Sequence, residues 1–232
     1  MQITYEGVLQ SLFGPAGLLN RDRRSRLLLV SILLFYILPA LSEDRAIGRF
    51  IILVTFYVAL VAAAMELAEK RVLFWSAIPI AAASMVLLGM ALFHPTPALL
   101  LANGIALALF LFLVSISLFI YLGEPGNSST ASLYLSVSLY FLLGMCWFAL
   151  YNILNIVQPG SFKENGTPLP LSAPWSTMLY FSLTTLTTLG YGDILAVRPA
   201  ARMLATFEAA VGVLYVAITI SRLVSARQHP PA

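Results

Sequence analysis

Charge is scarce in this chain. Of its 232 residues only 10% are Asp, Glu, Lys or Arg, while 60% are hydrophobic and the mean hydropathy is +0.91. Soluble domains carry roughly a quarter charged residues, so the shortage excludes a water-soluble globular protein and leaves a membrane protein. The formal net charge of +3 does not point to nucleic acid, because the basic residues sit at the ends of apolar runs, where lipid headgroups lie. Cysteine is nearly absent as well. Cys146 stands alone inside an apolar run, which excludes an intrachain disulfide and reads as a small core residue. His94 and His229 are isolated, and no cluster of His, Cys or carboxylates has a catalytic spacing, so no enzyme is expected. A cleavable signal peptide is also missing: the first apolar run starts at Leu27, behind Arg21, Arg23, Arg24 and Arg26, without a small-residue cleavage pattern. No sizeable water-soluble domain is expected at either end.

What the chain has in quantity is apolar helix. About 20 such residues cross a bilayer core, and six runs approach that length: Leu27 to Leu41, Ala46 to Leu67, Val72 to Phe93, Ala98 to Leu122, Leu133 to Val157 and Ala200 to Val224. The first is short, and Arg26 can lengthen it by snorkelling. Pro79 is expected to kink the third. Basic residues orient the set. Arg21, Arg23, Arg24, Arg26, Lys70, Arg71, Arg222 and Arg227 fall on one side, against Arg45, Arg49, Lys163, Arg198 and Arg202 on the other. The richer side is read as cytoplasmic, with both termini there. Glu66, Glu69, Lys70 and Arg71 read as a headgroup anchor. Residues 1–20 mix Val8, Leu9, Leu12, Phe13, Leu18 and Leu19 with polar neighbours, which fits an interfacial amphipathic helix or a disordered tail.

A different kind of segment separates the fifth and sixth runs. Gln158 to Ala173, rich in Pro, Gly and polar residues, reads as an exposed loop. It contains the sequon Asn165-Gly166-Thr167, whose use the following Pro168 argues against. Pro174 then opens an amphipathic run to Thr187, too short to span and suited to a re-entrant half-helix buried in protein. Directly after it comes Thr187-Thr188-Leu189-Gly190-Tyr191-Gly192-Asp193. Glycines at alternate positions let successive carbonyls turn the same way, unlike a sheet strand, and such a ribbon can wrap a bare cation in oxygen.

This stretch resembles the selectivity filter of potassium channels, whose TVGYG pattern it matches except that Leu189 replaces valine. The resemblance is strong over Pro174 to Val224 and extends to the six-span plan of the voltage-gated-like channels. It implies an all-α membrane protein of six transmembrane helices, a re-entrant half-helix and a filter, assembled as a homotetramer in the plasma membrane among lipids. Bound K+ ions would be the only cofactor, coordinated by the carbonyls of Thr188, Leu189, Gly190 and Tyr191, with the Thr188 hydroxyl closing the innermost site. Thr184, Thr187, Gly192, Asp193, Trp175, Tyr180 and Phe181 would support the filter. Related channels often carry glutamate or valine where Thr184 stands, so Asp193 is expected to need a hydrogen bond from the half-helix or from water.

The resemblance also divides the chain into a cytoplasmic segment (1–25), a four-helix peripheral domain (26–122), a pore domain (131–225) and a short tail (226–232). The fourth run has no Lys or Arg, so it lacks the gating charges that supply about 2.3 kcal/mol each per 100 mV. On the sixth run, Gly212 reads equally as a hinge or as a tight packing contact. Val213, Val216, Ile220 and Val224 lie at helical spacing, as a cavity wall or as plain core. Glu208, an ionisable group inside a span, reads as a structural hydrogen-bonding group or as a protonation site that tunes the filter. Three other readings stay open: a weakly selective cation channel, a non-conducting sensor or scaffold with a relic pore, and a potassium-uptake subunit.

Overall fold

The computed structural model describes residues 20–38, 45–67, 71–124, 130–171 and 173–228, without the side chains at 45–50, 52, 53, 71, 92 and 223–228. The expectations placed on residues 1–19, on linker residues 125–129 and on the Val224 side chain fall outside this description. Among the described residues seven helices follow one another: α1 (Arg21–Ile37), α2 (Arg45–Glu66), α3 (Arg71–Phe93), α4 (Pro97–Gly123), α5 (Thr130–Val157), α6 (Trp175–Leu186) and α7 (Pro199–Gln228). Among the described residues four are long and apolar enough to cross a membrane: α3, α4, α5 and α7. α2 adds a shorter apolar stretch, Val54–Glu66.

α1 starts at Arg21 rather than at Leu27. The Asn20 side chain accepts the Arg23 amide at 3.1 Å and Asp22 lies in the first turn. Both satisfy the positive end of a helix, and they draw the arginines into it. The chain folds into two compact units, residues 1–81 with 113–141 and residues 82–112 with 142–232.

In the first unit α1 packs on α2. Leu28, Ile32 and Phe35 on one side and Phe56, Leu60 and Ala63 on the other are buried, with the Phe35 and Phe56 rings 5.5 Å apart. Two of the arginines are structural here. Arg24 is buried and its Nη1 donates to the Met65 carbonyl at 3.2 Å, in the last turn of α2, where helical carbonyls lack an internal partner. The Arg21 guanidinium lies 3.5 Å over the Tyr121 ring. Glu66 is buried too, so the expected headgroup anchor does not hold at that position.

In the second unit the segment read as an exposed loop carries ordered strands. β1 (Phe162–Glu164) and β2 (Thr167–Pro168) pair antiparallel, and β3 (Ile194–Ala196) adds to the other edge of β1. A small sheet therefore modifies the all-α expectation. Its cause is local. Asn165 and Gly166 have φ of 47° and 84°, and positive φ at both centres of a two-residue loop is the type I′ turn that matches strand twist. Phe162 is fully buried, packed edge-on against Tyr151 and Phe181 at 5.3 and 5.4 Å. Elsewhere in this unit Ser84 of α3 donates to Asn103 Oδ1 of α4 at 3.1 Å.

Candidate functional site

α6 and the ribbon after it form the centre of the second unit. Thr188, Gly190 and Gly192 have φ of 59°, 51° and 83°, whereas Leu189 and Tyr191 keep ordinary negative values. Positive and negative φ thus alternate, a pattern that lets consecutive carbonyls turn to one side of a ribbon. Thr188 is the costly member, since a β-branched residue in the left-handed region forgoes about 1–2 kcal/mol. Hydrogen bonds to the end of α6 hold it there. The Thr188 amide donates to the Thr185 carbonyl at 2.9 Å, and the Leu189 and Gly190 amides both donate to the Thr184 carbonyl, at 2.8 and 3.1 Å. Thr187 caps the helix, with its amide and its hydroxyl both donating to the Leu183 carbonyl, at 3.0 and 2.7 Å.

The 12 residues of α6 reach about 18 Å, far short of a bilayer. Its carboxyl end, which carries the partial negative charge of a helix end, abuts α7. A Cβ added to Gly212 would lie 2.0 Å from the Leu186 carbonyl oxygen. Gly212 is therefore a close-packing position: only hydrogen lets α7 pass beneath the end of α6.

One turn earlier on α7, Glu208 is fully buried. Its Oε1 lies 2.6 Å from Ser182 Oγ on α6, and its Oε2 accepts from the Tyr151 hydroxyl on α5. Ser182 Oγ also lies 2.7 Å from the Gly144 carbonyl of α5. Three contacts need three protons, and the Ser182 and Tyr151 hydroxyls bring one each. The third belongs to Glu208, so the network is complete with a carboxylic acid there. One side chain thereby pins α5, α6 and α7 together.

The outer half of the ribbon has other partners. Tyr180 stacks on Tyr191 with the rings 3° from parallel and 6.4 Å apart, and its hydroxyl hydrogen-bonds Asp193. The Asp193 carbonyl accepts from the Asn165 amide at 3.0 Å.

With this geometry in hand, similarity can be weighed. The sequence profile described as ion channel matches residues 106–228, more than half of the chain. The chain belongs to the ion channel family. Over 85 residues the channel is 33% identical to two pore potassium channel c of Oryza sativa subsp. japonica, covering 37% of this chain and 18% of that protein. Over 91 residues it is 29% identical to the inward rectifier potassium channel Kirbac3.1 of Paramagnetospirillum magnetotacticum, covering 39% of this chain and 26% of that protein. The matches thus span about a fifth to a quarter of those relatives' lengths. No solved structure matches.

The channel brings most of the expected site residues together. Thr184, Thr187, Thr188, Leu189, Gly190, Tyr191, Gly192, Asp193 and Tyr180 lie on α6 or on the ribbon it anchors. Trp175 instead opens α6 edge-on to Phe148 at 6.4 Å, and Phe181 joins the buried cluster with Tyr151 and Phe162. Val213, Val216 and Ile220 are exposed along α7. Sequence reasoning missed Ser182 and Tyr151, which lie 26 and 57 residues from Glu208 and give no local signal. It also read Asn165-Gly166 as part of a sequon, although that dipeptide is the strongest short hairpin signal.

Proposed function

We propose that this ion channel is a potassium-selective, homotetrameric pore in the cell membrane. The carbonyls of Thr188, Leu189, Gly190 and Tyr191 and the Thr188 hydroxyl replace the hydration shell of K+ on a fourfold axis. The observation that carries this reading is the alternation of positive and negative φ over residues 188–192, anchored on the Thr184 carbonyl. A second copy is needed on chemical grounds. Leu189 and Tyr191 stand 55% and 69% exposed, and Met203, Phe207, Val213 and Leu214 of α7 are exposed as well. Lipid can cover those side chains, but it cannot satisfy a row of carbonyls. One ribbon per chain closes a ring only by rotational repetition, and the resemblance to potassium channels implies four copies.

The absence of Lys and Arg over Ala98 to Leu122 supports conduction without steep voltage gating by α4. The relatives named potassium channels support the choice of ion. Asymmetry of the basic residues supports cytoplasmic termini. The test is potassium flux from liposomes holding the purified protein. Barium-sensitive flux, with a bi-ionic reversal potential favouring K+ over Na+, is expected. Equal permeability would replace the selective reading with a weakly selective cation channel, and no flux would replace it with a non-conducting scaffold.

A further inference from the structure

The sequence read residues 158–173 as a passive surface loop, yet its strands are bonded to the ribbon's outer end. β3 begins at Ile194, the residue after Asp193, and runs along β1 with Glu164 opposite Ile194, Lys163 opposite Leu195 and Phe162 opposite Ala196. The ladder continues beyond both ends of that register. The Val197 amide donates to the Ser161 carbonyl at 2.9 Å, and the Asn165 amide donates to the Asp193 carbonyl at 3.0 Å. The last rung therefore grips the final residue of the Thr187–Asp193 motif. The donor of that rung is the first residue of the turn, in which φ is 47° at Asn165 and 84° at Gly166. At its other end the hairpin is fixed by Phe162, fully buried among Tyr151 and Phe181. Tyr151 is also the partner of Glu208.

We propose that the β1–β2 hairpin positions the outer end of the ion-conducting ribbon, with Asn165 and Gly166 as positioning residues that act through the Asp193 carbonyl. This rests on the conduction reading above and adds to it a determinant outside the motif. A sheet rung at Asp193 limits how far Gly192, with φ of 83°, can rotate its carbonyl out of line. Loosening the turn frees that rotation, and clamping the sheet suppresses it. Lost alignment shows as current that decays during sustained conduction and is slowed by high outer K+, which reoccupies the oxygens.

The experiment uses the full chain in planar bilayers with K+ on both sides. Gly166→Val places a β-branched residue at a strongly positive φ without touching the ribbon. It is expected to speed current decay on the order of tenfold, the factor that matches a left-handed penalty. Gly166→Asn, which tolerates that φ, is expected to keep the wild-type time course. In a second arm, Lys163→Cys with Leu195→Cys places thiols on directly opposed residues, which have Cβ atoms about 5 Å apart. Cadmium bridging is expected to slow the decay, whereas wild type with only Cys146 does not respond. This arm acts on assembled channels, so it decides the matter even where Gly166→Val fails to fold. Conducting channels whose decay is unchanged by bridged thiols overturn the proposal. A wild-type protein without potassium flux overturns the conduction reading instead.

Discussion

The two ends of the ribbon from Thr188 to Asp193 are held by different means. The inner end is tied to buried groups: amides of the exposed Thr188, Leu189 and Gly190 donate to the carbonyls of Thr185 and buried Thr184, Gly212 lies beneath buried Leu186, and buried Glu208 ties α6 to α5 and α7. The outer end relies on more accessible groups: the half-buried Tyr180 beside exposed Tyr191 and Asp193, and one sheet rung between exposed Asn165 and Asp193. Buried polar contacts cannot be replaced by water when broken, whereas exposed ones can. The inner end is thus the firmer anchor, and the outer end, on the proposed reading, is where small changes would act.

This contrast can be broken at graded points. Gly212→Val carries the largest expected effect. Two methyl groups directed at a backbone oxygen leave no room for rotamer escape, so tetramer assembly and flux are both expected to be lost, as size-exclusion chromatography and liposome flux will read. Glu208→Ala follows. It strands the Tyr151 hydroxyl beside a cavity, leaves Ser182 only the Gly144 carbonyl, and is expected to cost about 2–4 kcal/mol in denaturation. Glu208→Gln supplies one donor and one acceptor in the same shape and is expected to stay close to wild type. A pH response of flux that persists unchanged in Glu208→Gln rules out Glu208 as its source. Smallest is Tyr180→Phe, which keeps the stack on Tyr191 and removes only the Asp193 hydrogen bond. It is expected to change current decay a few-fold while leaving assembly intact. Were Tyr180→Phe to harm assembly as severely as Gly212→Val, the distinction between a fixed inner and an adjustable outer end would fall.

Much of the site was legible in one dimension, because its parts are consecutive. Pro174 opening a short helix and glycines at alternate positions follow local rules of backbone conformation, whereas Thr188, with φ of 59°, is held against its local preference by the end of α6. Helical runs were legible for the same reason, although α1 began earlier because Asn20 and Asp22 form a cap that outweighs the break in apolarity. Gly212 could be read only as hinge or contact, since the sequence cannot say what lies 2.0 Å away. The role of Arg24 was likewise hidden, because its acceptor on α2 is 41 residues distant.

By itself, then, the sequence determined a membrane-embedded chain, the position of its half-helix, and a ribbon whose glycines permit positive φ at alternate positions. These follow from composition and from φ preferences that each residue carries with it. Only the tertiary structure decided how the ribbon is held. The partners of Glu208, the close approach at Gly212 and the rung from Asn165 to Asp193 join segments far apart in the chain. Such contacts depend on where packing brings the segments together, which no local preference encodes.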